Sequence, residues 1–148
     1  MSTTELYGQI PPEIWQQRQD WINEELEKAE VAGHAMGDYA LVLFQDMELA
    51  YCAGAWISVI IMSISIIDAH LREETGEEKM GTARLLSNYY EGENIDWLRN
   101  FRNKYVHCDI NNPILDLDSY YTKEKDLEQD ATTAIKMVIK ALFQNPFI

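Results

Sequence analysis

The longest uncharged stretch of this chain is Leu49-Ala-Tyr-Cys-Ala-Gly-Ala-Trp-Ile-Ser-Val-Ile-Ile-Met-Ser-Ile-Ser-Ile-Ile67. Its nineteen residues approach the length of a membrane-spanning helix. However, Tyr51, Cys52 and three serines interrupt it, acids flank it, and no Lys or Arg lies near its N-terminal end to set an orientation. A helix that is apolar on all sides also forms the centre of a bundle, or lies between a core and a dimer interface. The stretch therefore predicts a central bundle helix rather than a membrane span.

Apolar residues at three- and four-residue steps predict helices on both sides of this stretch, and no segment alternates convincingly with a period of two. The sequence therefore predicts an all-α fold, most simply an up-and-down bundle of four or five helices. Residues 1–10 are predicted to be a flexible N-terminal tail, followed by a single helical domain over residues 11–148. The predicted helices run from Pro12 to about Ala32, from Asp38 to about Glu74 (as one helix or as two with a bend), from Thr82 to about Tyr90, from Ile95 to Cys108 and from Lys125 to about Gln144.

Asp68 follows the uncharged stretch at the edge of a face that is predicted to be buried, where a lone carboxylate needs a partner. Arg72, one helical turn further on, is the local candidate. Arg102, from the Ile95–Cys108 helix, is the more distant candidate. The same long segment also predicts a strip of small side chains that another helix approaches closely, formed by Ala50, Gly54 and Ser58.

The composition is that of one folded domain with an acidic surface. A chain of 148 residues, 47% of them hydrophobic, is large enough for a single core. The formal net charge of -13 argues against a general nucleic-acid-binding surface, because neutralising phosphates requires clustered Lys and Arg. Any contact with RNA is therefore expected at a small basic spot, or a basic partner is expected to cover the acidic surface.

The cysteines and the N-terminus favour a cytoplasmic protein. Cys52 and Cys108 are too few for a disulfide framework or a metal site, and both are predicted to be buried, reduced thiols. Met1–Gly8 has neither the basic region nor the apolar region of a signal peptide.

No metal or other cofactor is predicted. Asp116 and Asp118 lie in Asp109–Lys123, which is predicted to be a loop, and two acids without further ligands indicate solvated side chains. A metal-binding helical bundle typically carries a Glu three residues before a ligating His. None of the three histidines has one, and His34 and His70 are predicted to be surface or satisfied side chains.

Two of the five arginines and one of the three histidines lie in Leu98-Arg-Asn-Phe-Arg-Asn-Lys-Tyr-Val-His-Cys108. At about 100° per residue, Arg102 falls beside the apolar face of this helix, followed around it by Arg99, Asn103 and His107. An arginine clamps phosphate oxygens with a planar fork of donors, and a histidine moves protons near neutral pH. These side chains are a minimal set for cleaving a phosphodiester. The alternative is a solvated helix edge, with Arg102 paired to an acid and His107 favoured near the helix C-terminus.

Two stretches resemble the HEPN superfamily of helical domains. Arg102-Asn-Lys-Tyr-Val-His107 is similar to its signature, in which an Arg and a polar residue are followed a few positions later by a His. Ile61-Met-Ser-Ile-Ser-Ile-Ile-Asp68, with the small-residue run Tyr51-Cys-Ala-Gly-Ala-Trp56 before it, is similar to the long second helix of these domains. The order of the two motifs also fits, and the resemblance covers residues 38 to 145.

The resemblance implies an α-helical bundle that dimerises, with the Arg102 and His107 motifs of two protomers facing each other across one cleft. Many members cleave RNA without metal, often as toxins paired with a small nucleotidyltransferase antitoxin. Other members have lost catalysis and serve as binding or scaffold modules. For this chain, the resemblance implies an RNA substrate rather than DNA, no cofactor and no membrane.

Carried onto the matching positions, the resemblance implies four catalytic residues. Arg102 would hold the scissile phosphate and stabilise its developing charge. His107 would act as general base on the ribose 2′-hydroxyl or orient it. Asn103 would position the phosphate or its partner side chain, and Asp68 would orient Arg102 from the neighbouring helix. The products would be a cyclic phosphate and a free 5′-hydroxyl.

The chain also departs from the family pattern. Ile64 stands between two serines, where many members carry a basic residue. Arg99-Asn100 nearly duplicates Arg102-Asn103, so either Arg99 or Arg102 could hold the phosphate, although only Arg102 has the usual spacing to His107. A second function therefore stays open, namely a non-catalytic helical dimer module that binds a protein partner or a small ligand.

Overall fold

Seven helices and no strand occur in the part of the chain that the computed structural model describes, which is residues 9–30, 37–90, 92, 94–108, 110–111 and 116–143. The predicted all-α class is confirmed, while the helices outnumber the predicted four or five. The predicted tail up to residue 8, and His34, lie outside the described residues. The helices are α1 (Pro12–Glu30), α2 (Asp38–Cys52), α3 (Trp56–Thr75), α4 (Thr82–Tyr89), α5 (Ile95–Val106), α6 (Leu117–Thr122) and α7 (Glu124–Phe143).

Helix α3 lies at the centre, in contact with α2, α4, α5 and α7, while α1 packs on α2 and α7. Its side chains are buried around most of the helix because neighbours cover several of its sides. This confirms the prediction of a central bundle helix for the apolar stretch. No helix among the described residues is long and apolar enough to cross a membrane.

The long apolar segment is two helices separated by a turn, which was one of the two predicted alternatives. Gly54 has a φ of 77°, a left-handed conformation that glycine adopts without steric cost. Arg18 of α1 fixes this turn, since its Nη1 donates to the Cys52 carbonyl oxygen at 3.1 Å. The Arg18 guanidinium also lies 4.7 Å from the centre of the Trp56 ring.

The predicted strip of small side chains is wrong, because it assumed one continuous helix. Gly54 lies in the turn between the two helices, and Ser58 is exposed to solvent. Helix–helix packing in this region depends instead on large side chains, of which Phe44, Met47 and Trp56 are fully or almost fully buried.

Part of the predicted loop Asp109–Lys123 is helical. Asp116 caps α6 by accepting the Ser119 backbone N–H at 2.6 Å, and the Ser119 hydroxyl accepts the Asp116 N–H at 3.2 Å. This bonding lowers the pKa of the Asp116 carboxyl. The usual capping box has Glu or Gln at the third helical position. Ser119 takes that place here, which is why the sequence pattern did not reveal the helix.

The two cysteines differ in exposure. Cys52 is buried at the end of α2, as predicted, and burial raises the pKa of its thiol. Cys108 is exposed, so the prediction that it is buried is wrong. The reason is that α5 ends at Val106, two residues before the predicted end, and Cys108 no longer continues the apolar face of the helix.

Replacing Arg18 by Ala is expected to lower the free energy of unfolding by about 1–2 kcal/mol, because a charged hydrogen bond and a cation–π contact are both lost. Urea unfolding followed by circular dichroism would measure the change. Arg84→Ala is the matched control, since Arg84 is exposed on α4. Equal effects of the two substitutions would contradict the role assigned to Arg18.

Burial raises the pKa of Glu48 on α2, so its ionised form is disfavoured in the folded state. A raised folded-state pKa means that stability is lost as the pH rises through it. Glu48→Gln is therefore expected to unfold at a higher temperature than the parent at pH 7. The difference should shrink as the pH falls below the ordinary pKa of a glutamate, because the carboxyl is then protonated in both the folded and the unfolded state. Thermal unfolding across this pH range would show a constant difference if burial of the charge is not the cause.

Candidate functional site

A pocket of about 620 Å³ lies on the C-terminal half of α3, and we call it the α3 pocket. Helix α2 contributes Tyr39 and Leu43, α4 contributes Thr82, and α5 contributes Arg102. The volume is in the range that small-ligand sites usually have. The floor and the charged side come from α3, through Ile64, Ser65, Asp68, Ala69, Arg72 and Glu73.

Arg102 is the part of the sequence motif that reaches this pocket. It lies one turn after Leu98, which is fully buried where α5 packs on α3. Its Nε is shielded from solvent and has no hydrogen-bond partner among the described residues. A buried donor without an acceptor is costly, so this N–H needs an oxygen that the described residues do not supply.

Arg99, the near duplicate of Arg102, points elsewhere. Its Nη1 lies 3.6 Å from the Asp96 carboxylate, one turn back on the same helix, and it does not line the α3 pocket. Asp96 itself is exposed, so this ion pair is a surface contact of small energetic value. Of the two candidates for a phosphate arginine, Arg102 is therefore the one that lines the α3 pocket.

The carboxylate of Asp68 is held by Arg72, the local partner that the sequence offered. Arg72 Nε donates to one Asp68 oxygen at 2.7 Å and Nη2 donates to the other at 3.1 Å. This bonding raises the pKa of Arg72. The same guanidinium donates to three carbonyl oxygens of the following loop, those of Glu77, Glu78 and Met80. Asp68 and Arg102 line one pocket, but within the described part of the chain the side-chain hydrogen bonds of Asp68 go to Arg72.

Glu73 is a pocket residue that sequence reasoning missed. Its Oε1 accepts the Ala40 backbone N–H at 3.0 Å, so it caps the first turn of α2 from the end of α3. A side chain at Gly37 would meet this carboxylate, so the Glu73 side chain would have to move and its bond to the Ala40 N–H would be disturbed. Nothing in the local sequence indicates a cap from 33 residues away.

Asn103 and His107 do not line the α3 pocket in a single protomer. His107 follows the last residue of α5 in an extended conformation, with φ -104° and ψ 113°, and its backbone N–H donates to the Asn103 carbonyl. The His107 side chain is exposed. The structure therefore brings Arg102 and Asp68 together, and places His107 on the protein surface at the end of the same helix.

His70 is the other described histidine, and it is fully buried on α3. His70 was predicted to be either a surface side chain or one with satisfied hydrogen bonds. The structure places it in the interior. Within the described ranges, no group of three or more His, Cys, Asp or Glu side chains is arranged to hold a metal ion.

The Asp68–Arg72 pair is expected to stabilise the fold. In a double-mutant cycle of Asp68→Asn and Arg72→Gln, urea unfolding should give a stabilising coupling, because the pair is bidentate and less exposed than the pair of Asp96 and Arg99. The exposed pair Asp96–Arg99 is the control and should couple by less than about 0.5 kcal/mol. A coupling near zero for Asp68–Arg72 would mean that its carboxylate is free to serve another group.

Comparisons with protein families, with curated proteins and with solved structures gave no match to this chain.

Proposed function

We propose that this protein is a metal-independent endoribonuclease that cleaves RNA by attack of the ribose 2′-hydroxyl. The observation that carries the proposal is the Nε of Arg102, a buried donor without a partner that belongs to a pocket-lining side chain. Phosphate oxygens are the acceptors that an arginine fork fits best. The proposal keeps the HEPN-like character that the two sequence motifs suggest.

In the proposed reaction, Arg102 binds the scissile phosphate and stabilises the charge that develops on its oxygens. His107 accepts the proton of the 2′-hydroxyl while the 2′ oxygen bonds to phosphorus. The bond from phosphorus to the 5′ oxygen breaks and the departing 5′ oxygen takes a proton from water, which leaves a 2′,3′-cyclic phosphate and a 5′-hydroxyl. Asn103 positions the phosphate, and Asp68 acts through Arg72, which holds the pocket wall in place.

A homodimer would supply what one protomer lacks at this site. Val106 and Ile110, on either side of the His107–Cys108 segment, are exposed apolar side chains, and Ile110 is 88% exposed. Burial of these side chains against a second copy would favour association and would bring the exposed His107 of one protomer near a cleft shared with the other.

The acidic charge of the chain fits a cytoplasmic toxin with a basic partner better than a free nuclease. A net charge of -13 repels RNA over the general surface. A nucleotidyltransferase-type antitoxin with basic residues would be attracted to that same surface. The proposal therefore includes a partner protein of this class.

A second function, a non-catalytic dimer module, is favoured by one specific observation. Asp68 is bonded to Arg72 and His107 lies outside the pocket, so within one protomer the proposed base does not line the pocket that holds Arg102. In this case Arg102 would bind an anionic group of a protein or a small ligand. RNA would then not be cleaved at any protein concentration.

Cleavage of RNA in EDTA is the experiment that tests the proposal. The parent protein is expected to give products with cyclic phosphate ends, and Arg102→Ala and His107→Ala are each expected to lower the rate about a hundredfold or more. Arg99→Ala is the matched control on the same helix and should leave the rate nearly unchanged, because Arg99 faces Asp96. Circular dichroism would verify that each variant is folded.

Two results would contradict the proposal. The first is the absence of cleavage by a folded, dimeric parent protein, which would favour the binding module. The second is cleavage that Arg99→Ala abolishes and Arg102→Ala does not, which would place the phosphate outside the α3 pocket.

A further inference from the structure

Tyr39 is an exposed aromatic side chain in the lining of the α3 pocket. Its exposure is 66%, although it lines the same pocket as Arg102. Large aromatic side chains are usually much more buried than this, so an exposed ring at a pocket needs an explanation. Leu43, one turn further along α2, is only partly exposed and continues the apolar wall below it.

The charges of the pocket leave Arg102 as the group available to an anion. The lining contains two arginines and two acids, so it is neutral overall in a chain of net charge -13. Both acids are already bonded, Asp68 to Arg72 and Glu73 to the Ala40 N–H. An anion at Arg102 is therefore repelled less here than over the rest of the acidic surface.

An exposed ring and an available guanidinium in one pocket match the two parts of a nucleotide. Single-stranded RNA is commonly bound by stacking its bases on aromatic side chains while basic groups contact its phosphates. The hydroxyls of Ser65 and Thr82 line the same pocket and offer hydrogen bonds to a ribose or a base edge. The volume of about 620 Å³ suits a group of nucleotide size.

We infer that Tyr39 is a substrate-binding residue, whose ring stacks on a base of single-stranded RNA next to the phosphate that Arg102 holds. The inference rests on the proposed function and adds the residue that binds the base. Because every base has a flat face, Tyr39 provides affinity for single strands with little sequence preference. A base-paired strand has no free face to offer, so the substrate is an unpaired segment.

A second copy of this chain is the competing occupant of the exposed ring. Val42 lies one turn from Tyr39 on α2, is 60% exposed and does not line the pocket. A dimer contact on this side of α2 would use both side chains, whereas base stacking would use Tyr39 alone. Val42→Ala therefore separates the two occupants.

The test uses the full chain and a short, fluorescein-labelled 2′-O-methyl RNA, which cannot be cleaved because its 2′ oxygen is blocked. Fluorescence anisotropy in EDTA would measure its binding to the parent protein and to the variants. Tyr39→Ala is expected to weaken binding about tenfold, as for the loss of one base–aromatic stack. Tyr39→Phe keeps the ring and should bind like the parent, and Val42→Ala should also bind like the parent.

A cleavage assay on unmodified RNA gives a second readout. Tyr39→Ala should raise KM and leave kcat nearly unchanged, because stacking binds the substrate equally before and during the reaction. Competition by adenosine monophosphate for the labelled RNA tests whether the site binds an RNA strand or a free nucleotide. Weak competition supports a strand, while competition at the same concentration as the RNA would overturn the assignment to RNA.

Three outcomes would overturn the inference, and they are distinguishable. Unchanged RNA binding by Tyr39→Ala, with a binding-competent parent, overturns the role of Tyr39 alone. Loss of dimerisation in both Tyr39→Ala and Val42→Ala, measured by light scattering, with no change in RNA affinity assigns the ring to a second copy. The absence of RNA binding by a folded parent protein overturns the proposed function together with this inference.

Discussion

The burial of α3 is the constraint on which the rest of the structure depends. Its uncharged side chains point in all directions, so neighbouring helices must cover it on several sides. Each fully buried Ile or Leu contributes about 1.5–3 kcal/mol relative to exposure. The charged residues of α3 are therefore confined to its last turns, from Asp68 to Glu74, where the covering helices leave a pocket.

The chemistry of the site follows from that confinement. Asp68 and Arg72 satisfy each other at the end of the buried helix, and Glu73 is bonded to the first turn of α2. Arg102 comes from a different helix, and its Nε has no bonding partner in the described part of the chain. One guanidinium with an unbonded donor, in a pocket whose charged side chains sum to zero, is thus a consequence of how α3 is covered, and not only of the motif in which Arg102 stands.

Regular features of the fold were predictable from the sequence because they are local. The start of α1 at Pro12, the start of α4 at Thr82 and the body of α7 follow from proline, glycine and a repeating apolar stripe. The sequence left open whether this segment is one helix or two with a bend at Gly54. The contact that holds the turn comes from Arg18 on another helix, so local sequence does not reveal it. The Glu73–Ala40 bond was not predictable, since it joins residues that are distant in sequence.

The candidate site was predictable to a smaller extent. The position of Arg102 on the inward side of its helix follows from its four-residue distance to Leu98. The predicted positions of His107 and Cys108 around the helix axis assumed a helix that continues to residue 108. The helix ends at Val106. Beyond that point the helical angle no longer applies, so the arc of Arg102, Asn103 and His107 is not maintained within one protomer.

The α2–α3 hairpin is held near both of its ends by side-chain hydrogen bonds, and this has a mechanical consequence. Arg18 holds the turn at one end, and the Glu73 carboxylate holds α2 against α3 at the other. Helix α2 has 15 residues, which makes it a lever about 22 Å long at about 1.5 Å per residue. A rotation of about 3° at the turn would move the far end of α2 by about 1 Å. The width of the α3 pocket therefore depends partly on the turn at the opposite end of the hairpin. A displacement of Arg18 on α1 would alter the pocket through this turn, although no residue of α1 lines the pocket.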